Sequence, residues 1–173
     1  MFLLAHDVSI AFIYFEYKKN PSAVDLVGSL LKQLLQQGMG ISPAIRDLYA
    51  KHISISTPPS LDELSGLLVS ASRSFSRLYM VVDALDECPT GTDTKVLSVL
   101  RKLSNLHLLV TSRAHVDVSS NLNAVRLDIR ADNQDMEVFI RGRIDEDQKL
   151  RRYVPAPSKE TFITKIIEKS DGM

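Results

Sequence analysis

Apolar residues recur along this chain at two alternating spacings, one helical and one extended. Ile10-Ala-Phe-Ile-Tyr-Phe-Glu-Tyr-Lys18 reads as a first strand, and Asn20-Pro21 turns it into a helix beginning at Ser22. Asp25 completes a Ser-x-x-Asp capping box there. Leu26, Val27, Leu30, Leu31, Leu34 and Leu35 then fall on one helical face, and Gly38 is expected to end it. Ser42-Pro43 opens a second, shorter helix carrying Ile45, Leu48 and Tyr49. Ser60 with Glu63 caps a third, whose Leu64, Leu67, Leu68 and Ala71 face the core.

Next comes Leu78-Tyr-Met-Val-Val-Asp83-Ala-Leu-Asp86-Glu87-Cys88-Pro89, an apolar run that empties into three carboxylates before a proline stops it. Such a run reads as a strand buried on both faces of a parallel sheet. Thr90-Gly91-Thr92 turns the chain into a helix with Val96, Val99, Leu100 and Leu103 inward. Asn105-Leu-His-Leu-Leu-Val-Thr-Ser-Arg113 is the next strand, and Asn123 to Ile129 alternates like a further short one. Asp132 caps a helix holding Met136, Phe139, Ile140 and Ile144, with the mixed charges of Arg141 to Arg152 as a solvated face. Pro155-Ala-Pro157 marks a boundary before an amphipathic helix from Ser158 to Ser170 with Phe162, Ile163, Ile166 and Ile167. Strands alternating with helices argue for a parallel, three-layered α/β sheet.

Chemistry concentrates at two strand ends. Carboxylates at the carboxyl end of a buried parallel strand lie in the crevice where open α/β sheets bind ligands. Asp83 and the Asp86-Glu87 pair are spaced to share one small volume, one acid holding a hydrated metal and another orienting or deprotonating a water. The following strand delivers Thr111, Ser112 and Arg113, hydroxyls and a guanidinium that suit phosphate oxygens. Together they outline a nucleoside-triphosphate site.

Leu-Tyr-Met-Val-Val-Asp-Ala-Leu-Asp-Glu-Cys resembles the Walker B segment of the NACHT domain of STAND-class P-loop NTPases, with the flavour of fungal NACHT proteins related to the nephrocystin-3 amino-terminal domain. Leu-Leu-Val-Thr-Ser-Arg resembles their sensor 1 strand. The resemblance implies ATP or GTP with Mg²⁺ as ligand, slow hydrolysis, and other NACHT-type chains or flanking domains as partners. It assigns the magnesium shell to Asp83, the positioning of the attacking water to Asp86 or Glu87, and the sensing of the γ-phosphate to Arg113. The family's phosphate loop, Gly-x-x-x-x-Gly-Lys-Ser/Thr, is absent, for no Gly-Lys pair occurs in the 173 residues. The expectation is therefore an amino-terminally truncated, partial P-loop NTPase fold at 1–130, lacking the P-loop strand, and the start of a helical subdomain at 131–173. By resemblance the parent sheet has the order 5-1-4-3-2, so the missing strand leaves a gap between those at Leu106 and Val125. Direct pairing of these two, or a substitute strand from Phe2 to Ala5, would close it. Left open, it predicts a marginal, aggregation-prone chain. Asp171-Gly172-Met173 reads as a stop in mid-domain.

Composition narrows the classes. With 21 basic and 21 acidic residues the formal charge is zero, which excludes bulk attraction to nucleic acid or anionic membranes. No run approaches the roughly 20 apolar residues of a membrane span. One cysteine, with no basic stretch at the start, suits a reducing cytoplasm. Cys88 reads as a packed thiol, His107 as a core histidine in its strand, and His52 and His115 as loop or helix-end residues; no His/Cys spacing suits zinc. Three function classes remain. These are a NACHT-like NTPase fragment unable to turn over nucleotide by itself, a non-enzymatic interaction module derived from such a domain, and an α/β enzyme whose three acids hold a metal directly.

Overall fold

The computed structural model describes residues 7–16, 18–113, 116 and 124–170. It is an α/β protein with a three-stranded parallel sheet and, among the described residues, seven α-helices. Two compact units divide at 124/125. In the first unit, β1 (Val8–Tyr14), β2 (Arg77–Asp83) and β3 (Leu106–Val110) stand in that order across the sheet. Val8 pairs with Arg77 and Tyr14 with Asp83, while Leu106 pairs with Leu78 and Val110 with Val82, so the three strands start and end within one residue of one another. Between them run α1 (Ala23–Leu34), α2 (Pro43–Ser54), α3 (Leu61–Ser72) and α4 (Thr92–Leu100).

Both capping boxes form as the sequence predicts. Ser22 accepts from the Asp25 N–H while Asp25 accepts from Ser22, and Ser60 and Glu63 do the same for α3. The ending of α1 differs. Past Leu34 the helix widens into a π-turn over Leu35–Met39, and Gly40 rather than Gly38 leaves it, at φ 66°. Glycine alone adopts that angle without strain.

One core lies on one side of the sheet. Ala11 and Ile13 from β1 with Leu78, Met80 and Val82 from β2 pack against Val27, Leu30 and Leu34 of α1, Leu68 of α3 and Val99 and Leu100 of α4. No described helix of this unit packs against the opposite face. Ile10, Phe12 and Tyr14 are about 60% exposed, and Tyr79 and Leu109 continue the same exposed surface. The three-layered expectation is thus corrected for the first unit, whose described residues form two layers. His107 is corrected with it: its ring lies on the bare face, stacked on Tyr79 at 4.9 Å, and not in the core.

The two sheet edges differ. The outer edge of β1 is closed by side-chain amides from α1 and its π-turn. Gln33 accepts from the Phe12 N–H at 3.0 Å and donates to the Phe12 carbonyl at 2.9 Å. Gln37 accepts from the Ile10 N–H at 3.1 Å and donates to the Ile10 carbonyl at 2.7 Å. Two glutamines one helical turn apart take the place of a fourth strand. The outer edge of β3 has no such cover among the described residues. The further strand expected from Asn123 to Ile129 does not form. Residues 124–129 carry no regular structure, Val125 is 98% exposed, and Asn123 lies outside the described residues, as do Phe2 to Ala5 and 171–173.

Helix α2 buries none of its residues, so polar contacts to α3 hold it. Glu63 binds the Lys51 ammonium at 2.7 Å through one oxygen and the His52 ring at 3.0 Å through the other, while the other ring nitrogen meets Thr57 at 2.9 Å. A carboxylate only accepts, so His52 Nε2 carries the proton and Nδ1 accepts from the Thr57 hydroxyl when the ring is neutral. The Lys51 ammonium above all, and then the Ser60 N–H, hold the Glu63 carboxyl down at about 2 against an ordinary 4.5. A carboxyl lowered on folding contributes stability above its unfolded pKa and loses it as pH falls through the folded value. Between about pH 4.5 and 2 the protein should therefore lose this contribution. Glu63→Gln should flatten that limb of the urea midpoint against pH, and salt should mimic part of the effect because the cluster is solvent-accessible.

In the second unit, α5 (Asn133–Glu146), α6 (Gln148–Tyr153) and α7 (Lys159–Ser170) gather Ile144, Val154 and Ile163 into a small core. Asp132 caps α5 as predicted, but Phe139 is exposed. Arg141 forks to Glu160 at 2.6 and 2.9 Å and to Glu137 at 2.7 Å, tying α5 to α7. No helix among the described residues is long and apolar enough to cross a membrane.

Candidate functional site at the carboxyl ends of the strands

The acidic strand ends in a sharp turn. Asp83 closes β2, Ala84 takes a left-handed conformation (φ 56°, ψ 48°), and Leu85–Glu87 form one 3₁₀ turn anchored by buried Leu85. A non-glycine residue in that region is strained and persists only where its neighbours fix it. Here Thr111 does so. Its hydroxyl accepts from the Ala84 N–H at 3.0 Å and donates to Asp83 Oδ1, and its carbonyl accepts from the Leu85 N–H at 2.9 Å. One threonine on the adjacent strand thus holds both the acid and the turn behind it.

That turn separates the acids. Asp86 is swung toward the end of β3, where Oδ1 accepts from the Arg113 N–H at 3.1 Å and Oδ2 lies 3.2 Å from Arg113 Nε. Its side chain is only 8% exposed, whereas that of Arg113 is 73% exposed. Glu87 follows on the same turn, half-buried. Ser112 is exposed, and its hydroxyl donates to the Arg113 carbonyl at 3.3 Å. Cys88 is half-buried; burial above all, with the Asp93 carboxylate, pushes its thiol up to about 11. That keeps it protonated at neutral pH, the behaviour of a packed thiol and not a nucleophile. His115 lies outside the described residues.

The structure therefore brings Asp83, Thr111, Asp86 and Arg113 together across two parallel strands, but in two couples: Asp83 with Thr111, and Asp86 with Arg113. The sequence pointed to all four residues. It carried no sign of the couples, since 27 or 28 residues separate the partners, nor of the strain at Ala84. Among the described residues no group of three or more His, Cys, Asp or Glu is placed to hold a metal ion by itself.

The parallel α/β sheet thus brings acids and a hydroxyl to the carboxyl ends of neighbouring strands, the place where open α/β sheets in general bind ligands. The nephrocystin 3, N-terminal family matches residues 3–113, which is most of the chain, and the protein belongs to that family. No curated protein and no solved structure matches.

Proposed function

We propose that this chain is part of a NACHT-like signalling NTPase of the cytoplasm and that these 173 residues do not hydrolyse ATP or GTP by themselves. The observation that carries this reading is Asp83, held by the Thr111 hydroxyl at the carboxyl end of the central strand. The second Asp83 oxygen has no hydrogen-bond partner among the described residues. One carboxylate beside a hydroxyl suits Mg²⁺, which keeps several waters and takes its remaining ligands from substrate phosphates. When bound, Mg²⁺ supplies charge neutralisation along the phosphate chain. Asp83 would hold its shell, Asp86 or Glu87 would orient water, and Thr111, Ser112 and Arg113 would line the phosphate side.

Among the described residues no glycine-rich loop cradles the phosphate end. The 173 residues contain no Gly-Lys pair, and Arg113 is engaged by Asp86. Calorimetric titration with Mg²⁺–ATP and Mg²⁺–GTP tests the reading, and the expected result for the folded chain is no saturable binding. The engagement of Arg113 by Asp86, together with the bare sheet face, also favours a second reading, in which the domain is a non-enzymatic interaction module. That reading gains if the folded chain binds no nucleotide but captures another NACHT-type chain.

A further inference from the structure

We propose that Thr57 is a site of phosphorylation and that its phosphate clamps α2 onto α3, a regulatory role separate from the strand-end site. One histidine is the meeting point. Helix α2 buries none of its residues and is joined to α3 by Glu63, which binds Lys51 and His52. Thr57 is fastened to the same His52 twice. Its N–H donates to the His52 carbonyl at 3.1 Å, and its hydroxyl meets His52 Nδ1 at 2.9 Å. The first of these bonds, with that of the Ser56 N–H to the Ile53 carbonyl, closes α2 in a Schellman motif. Ser56 occupies the left-handed position there at φ 52°, where glycine is usual, so the closure is strained.

A kinase must draw the acceptor hydroxyl into its own active site, which requires an exposed segment free of helix and sheet bonds. Thr57 is exposed, and residues 57–60 carry no regular structure. Pro58 and Pro59 have no N–H to give up, and extending the chain releases the strain at Ser56. The sequence holds two hydroxyl residues followed by proline, the minimal target of a proline-directed kinase, at Ser42-Pro43 and Thr57-Pro58. The structure separates them. Ser42 caps α2 and Pro43 is its first residue, so reaching Ser42 means unwinding the helix start. Thr57 has only the strained turn behind it.

In the transfer, Thr57 Oγ1 bonds to the γ-phosphorus of ATP as the bond to ADP breaks, and the hydroxyl proton passes to the kinase's base. The product carries about two negative charges and three acceptor oxygens. His52 Nδ1 thereby loses its donor. A phosphate oxygen only accepts, as does Glu63 at Nε2, so the ring is bonded on both sides only as the imidazolium. Phosphate, His52, Glu63 and Lys51 then form a row of alternating charge from the linker through α2 to α3. The dipole of α2 opposes an anion at its carboxyl end, but it is weaker than charge-assisted bonds between groups in contact.

The test is to treat the folded chain with ATP and a proline-directed kinase, map the product by mass spectrometry, and use Thr57→Ala as control. Thr57 should take the phosphoryl and Ser42 should not. Hydrogen exchange along α2 should then slow at least about fivefold, the yield of one to three added charge-assisted bonds. Nitrogen NMR should show His52 protonated on both ring nitrogens at neutral pH in the modified chain. In His52→Asn, the same modification should no longer slow exchange. Preferential modification of Ser42 would overturn the proposal. So would a folded chain that takes no phosphoryl at Thr57 while a peptide of residues 52–62 does, or exchange in α2 that is unchanged or faster after modification.

Discussion

Replacing Gln33 and Gln37 together by alanine should turn this protein into one that polymerises. The two amides satisfy both backbone groups of Ile10 and of Phe12, and Gln37 also accepts from the Ser9 hydroxyl at 2.7 Å. Without them β1 becomes a second open edge, parallel in sense to β3 and equally free of protective charge along Val8–Tyr14. A copy then has unlike edges to offer. Head-to-tail addition of β3 onto β1 does not close, so it continues. Light scattering should rise with time and concentration in the double variant while the parent remains small. The direct stability cost is modest, about 1–3 kcal/mol, since each such bond contributes roughly 0.5–1.5 kcal/mol and water replaces part of it at an exposed edge. The large effect lies in solubility. A double variant as well behaved as the parent would show that the glutamines do not guard the edge.

The second large effect separates the two faces of the sheet. Leu78 sits on the central strand at 0% exposure among residues of α1, α3 and α4. Leu78→Ala removes its contacts and leaves a cavity, which costs about 2–5 kcal/mol. That is a large part of the roughly 5–15 kcal/mol that a domain holds, so much of the variant should be unfolded on warming. Phe12→Ala deletes a larger side chain from the neighbouring strand, but from the bare face, where 60% of the residue is already in water. Its cost should stay below about 1 kcal/mol. Paired urea titrations of the two variants check the one-sided architecture. Equal losses would mean that the bare face is covered.

Much of this fold was legible because its signals are local. Ser22 with Asp25, Ser60 with Glu63, and Asp132 each announce a helix start through side-chain geometry that needs no distant neighbour. The runs at Leu78 and Leu106 announce strands, and the acids and hydroxyls at their ends announce a shared crevice. The exposed face was not legible. Val8, Ile10, Phe12 and Tyr14 are as apolar as buried residues, and composition cannot say whether a second helical layer covers them. The alternation of Val125, Leu127 and Ile129 predicted a strand for a related reason. Alternation states that one face could be buried, but a strand also needs a neighbouring strand to pair with, and the described sheet ends at β3. At the site, each residue could be named from sequence, yet the coupling of Asp86 to Arg113 arises only when β2 and β3 lie side by side.

The most direct test of the functional account is magnesium-dependent binding of ATP and GTP to the purified chain, followed by calorimetry with Asp83→Ala as control and circular dichroism to confirm folding. A folded chain without saturable heat, identical to the variant, is the predicted result, because Asp83 alone cannot retain Mg²⁺ without a loop to hold the phosphates. Saturable binding that disappears in Asp83→Ala would contradict the account, since residues within this chain would then be holding the phosphates.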